Sequence, residues 1–166
     1  LRIGTNRGLY IGSVDHPQFR KCDLSYGLSQ TADYDIKEIF QGTNDHLYVA
    51  TQFGISSIVN GQLAYQPIAA NLVLKSDHRV EDTRSVYADP IHDIFWIGTQ
   101  SEMTGLIKSN NRSGENEVIT LKGSAEINSI RVIRNFGDST LWIGTINGLI
   151  QLDTLSNITA KHLNHL

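Results

Sequence analysis

One short sequence recurs four times along the 166-residue chain, and this repetition constrains the fold more than any other feature. The copies read LRIGT, LYVAT, FWIGT and LWIGT, and they begin at Leu1, Leu47, Phe95 and Leu141. Their fourth residues, always Gly or Ala, follow one another at intervals of 46, 48 and 46 residues, and a Gly followed by Leu or Ile comes shortly after each copy. Such a period is typical of repeat proteins, in which each repeat is one supersecondary unit.

Each repeat predicts four short strands. The pentapeptide is the second strand, and a β-like run precedes it at 36–41, 83–88 and 127–134. Turn-forming Asn, Asp, Gly and Pro residues separate the two runs. The third strand opens with the Gly, and the fourth run lies near 19–22, 63–66, 117–121 and 158–162. No segment of ten or more residues keeps a helical period, so the sequence predicts an all-β chain.

The pentapeptide strands are apolar on both faces. Leu141 and Ile143 point to one side of the strand and Trp142 to the other, because successive side chains alternate. A small antiparallel sheet buried on both faces is typical of a propeller blade between two neighbours. We also expect Gly98 and Gly144 to let a side chain of the next blade lie against the backbone. A solenoid is the competing architecture, but its strands are usually parallel and its repeats shorter.

The sequence therefore predicts a partial β-propeller of about four four-stranded antiparallel blades. The whole chain, 1–166, is one propeller fragment, with blades at about 1–33, 34–82, 83–126 and 127–166. The first blade lacks its first strand. Because an open fragment exposes apolar faces, we expect either that the intact protein is longer or that a second copy pairs with this one as a dimer.

The repeats resemble a known family. The strings LWIGTINGLIQLD, FWIGTQ and LRIGTNRGL are similar to the two-component regulator propeller repeat, and the resemblance covers essentially the whole chain. It implies a periplasmic, extracytoplasmic sensor segment of a bacterial inner-membrane protein that controls a cytoplasmic histidine kinase or diguanylate cyclase. It also implies an oligosaccharide or other small-molecule ligand. The chain departs from the family at Ala50 and in an insertion within 100–104, so no ligand residue is transferred.

Motifs of catalysis or metal binding do not occur in the sequence. The six His residues form no HExxH pair, and there is no GxSxG elbow or phosphate-binding loop. Cys22 is alone, so the chain cannot form an internal disulfide. We expect no enzyme, no cofactor and no metal site in this chain. An enzymatic hypothesis would depend on Glu102 or His78.

Charge and hydropathy restrict the partners. The net charge is −3 and the 14 Lys and Arg residues are scattered, which argues against nucleic acid as a partner. No apolar run approaches the roughly 18 residues of a membrane span. We expect contact with the membrane only through parts of the parent protein outside this chain.

Ligand-binding residues are expected in the loops between the second and third strands, since loops on a rigid scaffold often carry function. The candidates are Arg7, Gln52, Phe53, Gln100, Glu102, Met103 and Asn147. Trp96 and Trp142 can stack on a sugar, but their place in the repeat favours the core. Two functions remain open: a ligand-sensing propeller, and a non-catalytic scaffold that binds another protein. The flanking sequence would distinguish them.

Overall fold

The computed structural model describes residues 1–15, 18–22, 35–42, 46–51, 54–59, 62–65, 83–100, 105–119, 121, 129–137, 139–155 and 161–163. Within these ranges, the regular secondary structure consists of fifteen β-strands without a helix. The all-β prediction is confirmed for this part of the chain.

The strands form four antiparallel sheets, and each sheet is built from strands that are consecutive in the chain. Sheet 1 contains β1 (Arg2–Thr5), β2 (Gly8–Ile11) and β3 (Arg20–Lys21). Sheet 2 contains β4 (Ile36–Gln41), β5 (Leu47–Thr51), β6 (Gly54–Val59) and β7 (Gln62–Tyr65). Sheet 3 contains β8 (Thr83–Asp89), β9 (Ile94–Thr99), β10 (Leu106–Asn110) and β11 (Asn116–Ile119). Sheet 4 contains β12 (Ile130–Asn135), β13 (Thr140–Thr145), β14 (Gly148–Asp153) and β15 (Lys161–Leu163).

The order of the strands in each sheet follows their order in the chain, as in a meander. The predicted four-stranded unit is confirmed in sheets 2, 3 and 4, and sheet 1 has three described strands that begin with its pentapeptide. The blade boundaries stay a prediction, because residues 33, 34, 82, 126 and 127 lie outside the described ranges.

The threonine that closes the pentapeptide also builds the turn that follows it. Thr145 Oγ1 donates a hydrogen bond to Gly148 O at 3.0 Å and accepts one from Asn147 N at 3.1 Å. Thr5 Oγ1 donates to Gly8 O at 2.9 Å in the same way. Gly8 and Gly148 have φ angles of +123° and +140°, which favour glycine. We call the end of the sheets marked by Thr5, Thr51, Thr99 and Thr145 the threonine end.

Adjacent sheets pack face to face. In sheets 2, 3 and 4, the first and third side chains of the pentapeptide lie on the face toward the preceding sheet, and we call this the back face. The second and fourth lie on the opposite face, the forward face, which in sheets 1, 2 and 3 is toward the next sheet. Trp96, on the forward face of sheet 3, packs in one buried cluster with Leu141 and Ile143 on the back face of sheet 4. Tyr48 of sheet 2 contacts Phe95 of sheet 3, with ring centroids 4.8 Å apart.

The small fourth residue of the pentapeptide makes room for the next sheet. A Cβ placed at Gly98 would overlap Ile130 Cγ2 of sheet 4, which confirms the predicted close approach. At Gly144 the same expectation stays a prediction, because no described sheet lies on the forward face of sheet 4. The nearest side chain there is Val132 of the same sheet, 2.7 Å from a built Cβ.

The close contact between the small fourth residue and the next sheet also occurs between sheets 1 and 2, and it takes a different form between sheets 2 and 3. A Cβ at Gly4 would lie only 2.5 Å from Ile36 Cγ2 of sheet 2. In sheet 2 the small residue is Ala50, and the next sheet carries the smaller Thr83 at the register position of Ile36 and Ile130. A larger side chain on one sheet is therefore matched by a smaller one on its neighbour, as close packing requires.

Candidate functional site

Three candidate ligand-binding residues are described, and all three lie at the threonine end. Arg7 and Asn147 belong to the two-residue turns of sheets 1 and 4, where Arg7 is exposed and Asn147 is half-buried. Gln100 follows β9 directly and is exposed. The other four candidates, Gln52, Phe53, Glu102 and Met103, lie outside the described residues.

The first strands of sheets 2, 3 and 4 each contain a β-bulge near the threonine end. The pairing register shifts between Ile36 and Glu38, and at the equivalent place in β8 and β12. The extra residues that the pairing register skips at these shifts are Lys37, Arg84 and Arg131. Every bulge therefore presents a cationic side chain at the same position of its sheet.

Contacts place two of these cations at the threonine end. The Arg84 guanidinium donates from Nη2 to Gln100 Oε1, so this cation holds the side chain of one candidate residue. The Lys37 ammonium contacts the Asp35 carboxylate just before β4. Arg131, at the equivalent position of sheet 4, is exposed. Sequence analysis missed these residues, although the second residue of each first strand, in IKEIF, TRSVY and IRVIR, is basic.

A carboxylate fastens the first strands of three sheets to one another. Glu38 Oε2 accepts hydrogen bonds from Ser85 Oγ at 3.0 Å and Val86 N at 2.8 Å. Ser85 Oγ accepts in turn from Ile133 N of sheet 4 at 3.1 Å. Arg134 Nη1 donates to Glu38 Oε1 at 3.2 Å, which joins sheet 4 directly to sheet 2. These bonds fix the relative positions of the edge strands that carry the three bulges.

The opposite end of sheet 3 holds a second set of charged groups, in the turn between β8 and β9. Burial raises the pKa of the Asp89 carboxyl, but hydrogen bonds from the His92 ring and from the backbone N–H groups of His92 and Ile91 outweigh burial and lower it overall. His92 Nδ1 lies 2.8 Å from Asp89 Oδ2. No group of three or more metal-ligating side chains occurs among the described residues.

The part of the chain that the structure describes contains no helix of the length and hydropathy needed to span a membrane.

Comparison with known proteins gives matches in structure but not in sequence. No protein-family model and no curated protein matches the chain. Among solved structures, an extracellular domain of BT4673 from B. thetaiotaomicron superposes with a TM-score of 0.75 at 21% identity. This match covers 99% of the chain and 21% of that domain. BT4673 is described there as a one component system, and in a second structure, with a TM-score of 0.74 at 20% identity, as a hybrid two component system.

The extracellular domain of a second hybrid two component system, BT3049 from the same organism, superposes with a TM-score of 0.58 at 21% identity. This match covers 78% of the chain and 18% of that domain. The chain thus spans about a fifth of the length of each of these domains. Its fold is similar to a part of the extracellular domains of BT4673 and BT3049.

Proposed function

We propose that the chain is a segment of an extracytoplasmic β-propeller that senses a ligand for a bacterial signal-transduction regulator. The observation that carries this proposal is the structural likeness to extracellular domains described as parts of a one component system and of a hybrid two component system, which extends over 99% of the chain at TM-scores of 0.75 and 0.74. The pentapeptide repeats, which resemble those of two-component regulator propellers, support the same function independently.

The packing of the sheets supports the propeller. Each sheet is a meander, and sheets 2 and 3 are covered on both faces by their neighbours. The first strands of sheets 2, 3 and 4 contact one another through Glu38, Ser85 and Arg134. In a propeller, the first strand of each blade lines the central axis, which brings these strands together.

The ligand site of this sensor is the threonine end, and the ligand is a carbohydrate or another small molecule. The two-residue turns of sheets 1 and 4 lie at this end, and the threonine hydroxyls hold them rigid through hydrogen bonds. Arg7, Gln100 and Asn147 supply hydrogen-bonding groups of the kind that bind polar ligands on preformed surfaces. Binding would control a cytoplasmic kinase or cyclase outside this chain, provided that the ligand has different affinities for two states of the protein.

Titration calorimetry with a panel of oligosaccharides tests the ligand site. We expect Arg7→Ala and Asn147→Ala to weaken binding of the recognised sugar about tenfold each, because each removes one polar contact with the ligand. The control is Arg112→Ala, which removes an exposed guanidinium at the opposite end of sheet 3. Equal weakening by the control, or no binding of any sugar, would contradict the proposed site.

The forward face of sheet 4 supports a further part of the proposal, that remaining blades of the same protein cover it. Val132 and Leu149 on this face are 38% and 39% exposed, and Trp142, two residues along β13 from the Gly144 that separates them, is only half-buried. The forward faces of sheets 1, 2 and 3 are each covered by the first strand of the next sheet, which is β4, β8 or β12. Sheet 1 of a second copy offers no such strand among its described residues, so a further blade is the better fit.

The two Trp residues provide the test, since they lie at the same position of sheets 3 and 4. Each single variant keeps one Trp: Trp96→Phe keeps Trp142, and Trp142→Phe keeps Trp96. In this chain, acrylamide should quench the fluorescence of Trp142 more strongly than that of Trp96. In a longer protein with further blades, we expect Trp142 to become as protected as Trp96. Protection of Trp142 that rises with the concentration of this chain alone would indicate the dimer instead.

The same apolar face favours the alternative function, a non-catalytic scaffold that binds another protein. That function predicts that Trp142 stays accessible in the longer protein and is protected only by a separate partner. It also predicts no small-molecule binding at the threonine end.

A further inference from the structure

The forward face of sheet 4 carries the side chains of a covered face, but no described sheet covers it. Leu9, Ile55 and Leu106 pair with the fourth pentapeptide residue of sheets 1, 2 and 3, and they are at most 1% exposed. Leu149 holds the same register position in sheet 4 and is 39% exposed. The three described contacts between sheets therefore indicate what kind of surface fits sheet 4.

Two of these contacts use the same pair of isoleucine side chains. A Cβ built on Gly4 of sheet 1 would lie 2.5 Å from Ile36 Cγ2 and 3.6 Å from Ile39 Cδ1. A Cβ built on the equivalent glycine of sheet 3 would overlap Ile130 Cγ2 and lie 3.3 Å from Ile133 Cδ1. Glycine at the fourth pentapeptide position is thus paired with two isoleucines on the first strand of the next sheet.

The contact between sheets 2 and 3 differs on both sides. Sheet 2 carries Ala50 in place of the glycine, and the first strand of sheet 3 carries Thr83 and Val86 in place of the two isoleucines. Thr83 and Val86 are buried, and both are smaller than isoleucine. The smaller partners make room for the methyl group of the alanine, as close packing requires. We call this relation the pairing rule: glycine faces two isoleucines, and alanine faces smaller residues.

Sheet 4 carries glycine at this position, and a side chain of its own lies near it. Val132 Cγ1 is 2.7 Å from a Cβ built on Gly144. The equivalent residues of sheets 2 and 3, Glu38 and Ser85, instead accept hydrogen bonds from backbone N–H groups of the next sheet. Val132 is 38% exposed, so its side chain can turn to another staggered rotamer when a sheet covers it. The space over Gly144 is then open to the isoleucines of a partner.

A second copy of this chain does not present such isoleucines from its described residues. Ile36 and Ile39 already pack against sheet 1, and Ile130 and Ile133 already pack against sheet 3. Sheet 1 of a second copy begins, in its described part, with the pentapeptide strand. The partner that fits sheet 4 is therefore a further sheet with its own first strand.

We propose that the forward face of sheet 4 binds a further sheet of the same protein whose first strand carries isoleucine at the positions of Ile130 and Ile133. The fourth residue of each pentapeptide thereby determines which sheet can follow. This inference rests on the proposed propeller and adds the chemistry of the blade that covers sheet 4. The partner buries Leu149 in the way that sheet 4 buries Leu106.

An added sheet tests the proposed partner. Ile36, Thr83 and Ile130 follow one another at intervals of 47 residues. A copy of residues 120–166 joined after Leu166 places its own first strand at the same interval. The extended chain thus presents a strand with both isoleucines to the forward face of sheet 4.

The fluorescence of Trp142 reports whether the added sheet binds. Trp96→Phe in the chain and Trp142→Phe in the copy leave the original Trp142 as the single Trp of the extended chain. Trp142 is half-buried without a cover, whereas Trp96 is 3% exposed beneath sheet 4. We expect quenching of Trp142 by acrylamide to fall, in the extended chain, to the level measured for Trp96 in the unextended Trp142→Phe variant.

The matched control changes only the isoleucines of the added copy. Ile130→Thr with Ile133→Val in the copy reproduces the first strand of sheet 3, and we expect it to leave Trp142 more accessible to acrylamide. Gly144→Ala in the chain should reverse this order, because the altered copy has room for the new methyl group and the unaltered copy does not. A reversal separates the pairing rule from a general loss of apolar surface.

The contact between sheets 2 and 3 tests the pairing rule without an added sheet. Thr83→Ile places a larger side chain against sheet 2, and Ala50→Gly removes a methyl group from the same contact. We expect each change alone to lower the urea concentration at the midpoint of unfolding. The double variant should have a higher midpoint than Thr83→Ile, because the two changes compensate each other. Additive losses would overturn the pairing rule.

Each outcome with the added sheet decides a different statement. Equal protection of Trp142 by both copies would overturn the pairing rule, although a further blade would still cover sheet 4. No protection by either copy would contradict the blade itself. Protection of Trp142 that rises with the concentration of the unextended chain would show that a second copy is the partner. These experiments contain no sugar, so the ligand-sensing part of the proposed function is tested separately by its own calorimetry.

Discussion

The forward faces of sheets 3 and 4 present nearly the same side chains to very different surroundings. Trp96 is 3% exposed and Leu106 is fully buried in sheet 3, beneath the back face of sheet 4. At the same register positions of sheet 4, Trp142 is half-buried and Leu149 is 39% exposed. The burial of a repeat is therefore determined by its neighbour as much as by its own sequence, and each sheet depends on the next for stability.

The forward faces of sheets 3 and 4 also differ in the residue that follows the bulge, and the presence or absence of a covering sheet does not explain this difference. In sheet 3, the residue after the bulge is Ser85, whose hydroxyl accepts a hydrogen bond from Ile133 N of the next sheet. In sheet 2 the same position holds Glu38, which accepts from Val86 N. Sheet 4 has Val132 there, which offers no acceptor and lies against Gly144 instead. A blade that covers sheet 4 must satisfy its own edge N–H group in another way.

Matched truncations of one leucine on each face should give the largest difference. Leu106→Ala removes a side chain that is wholly buried between sheets 3 and 4, and we expect a loss of about 2–5 kcal/mol in the free energy of unfolding. Leu149→Ala makes the same change on the open face, with an expected loss below about 1 kcal/mol. Urea denaturation followed by circular dichroism measures both. Similar losses would mean that the forward face of sheet 4 is covered in solution.

A smaller difference is expected where the sheets approach most closely. Gly98→Ala places a methyl group against Ile130, and we expect a loss of about 1–3 kcal/mol from overpacking. Gly144→Ala meets only Val132, whose half-exposed side chain can rotate away, so the expected loss is below about 1 kcal/mol.

A double variant sharpens this comparison. Adding Ile130→Thr to Gly98→Ala reproduces the pairing of Ala50 with Thr83 in sheets 2 and 3, because threonine can turn its smaller hydroxyl oxygen toward the new methyl group. The loss in the double variant should be smaller than the sum of the two single losses, by about 0.5 kcal/mol or more. Additive losses would contradict the packing role assigned to the small fourth residue.

The comparison also shows what the sequence could predict. The pentapeptides identified the central strands, and the turn residues between them identified the sheets, because both are local patterns with a fixed period. The period further suggested that Trp96 faces a neighbour, which the structure confirms. The same reasoning placed a neighbour at Gly144, where sheet 4 has none among the described residues. Repetition predicts a kind of contact, but not whether a partner is present.

The candidate site was predicted less well than the fold. The loops between second and third strands led to Arg7, Gln100 and Asn147, which do share one end of the sheets. The cations at the bulges were missed because a bulge depends on the pairing of two strands and has no clear local signature. Glu38 was missed for a similar reason, since its partners are 47, 48 and 96 residues away in the chain.

The smallest expected effect on stability comes from the turn between the first and second strands of sheets 3 and 4. The side chain that accepts hydrogen bonds in this turn is charged in sheet 3 and neutral in sheet 4. Asp89 accepts hydrogen bonds from His92 and Ile91, whereas Asn135 Oδ1 accepts one from Gly137 N. The pKa of Asp89 is lowered in the folded protein from its ordinary value of 3.8. Its ionised form therefore stabilises the fold at neutral pH, and this contribution disappears as the pH falls through 3.8 to the lower pKa of the folded state.

We expect Asp89→Asn to lose about 1 kcal/mol of unfolding free energy at pH 7 and to approach the parent chain near pH 2–3, because a charged acceptor is stronger than a neutral one only while it is ionised. Asn135→Ala in sheet 4 should cause a loss that does not change between these pH values. Urea titrations at a series of pH values measure both variants. A loss from Asp89→Asn that is the same at every pH would mean that the carboxylate charge contributes nothing to this turn.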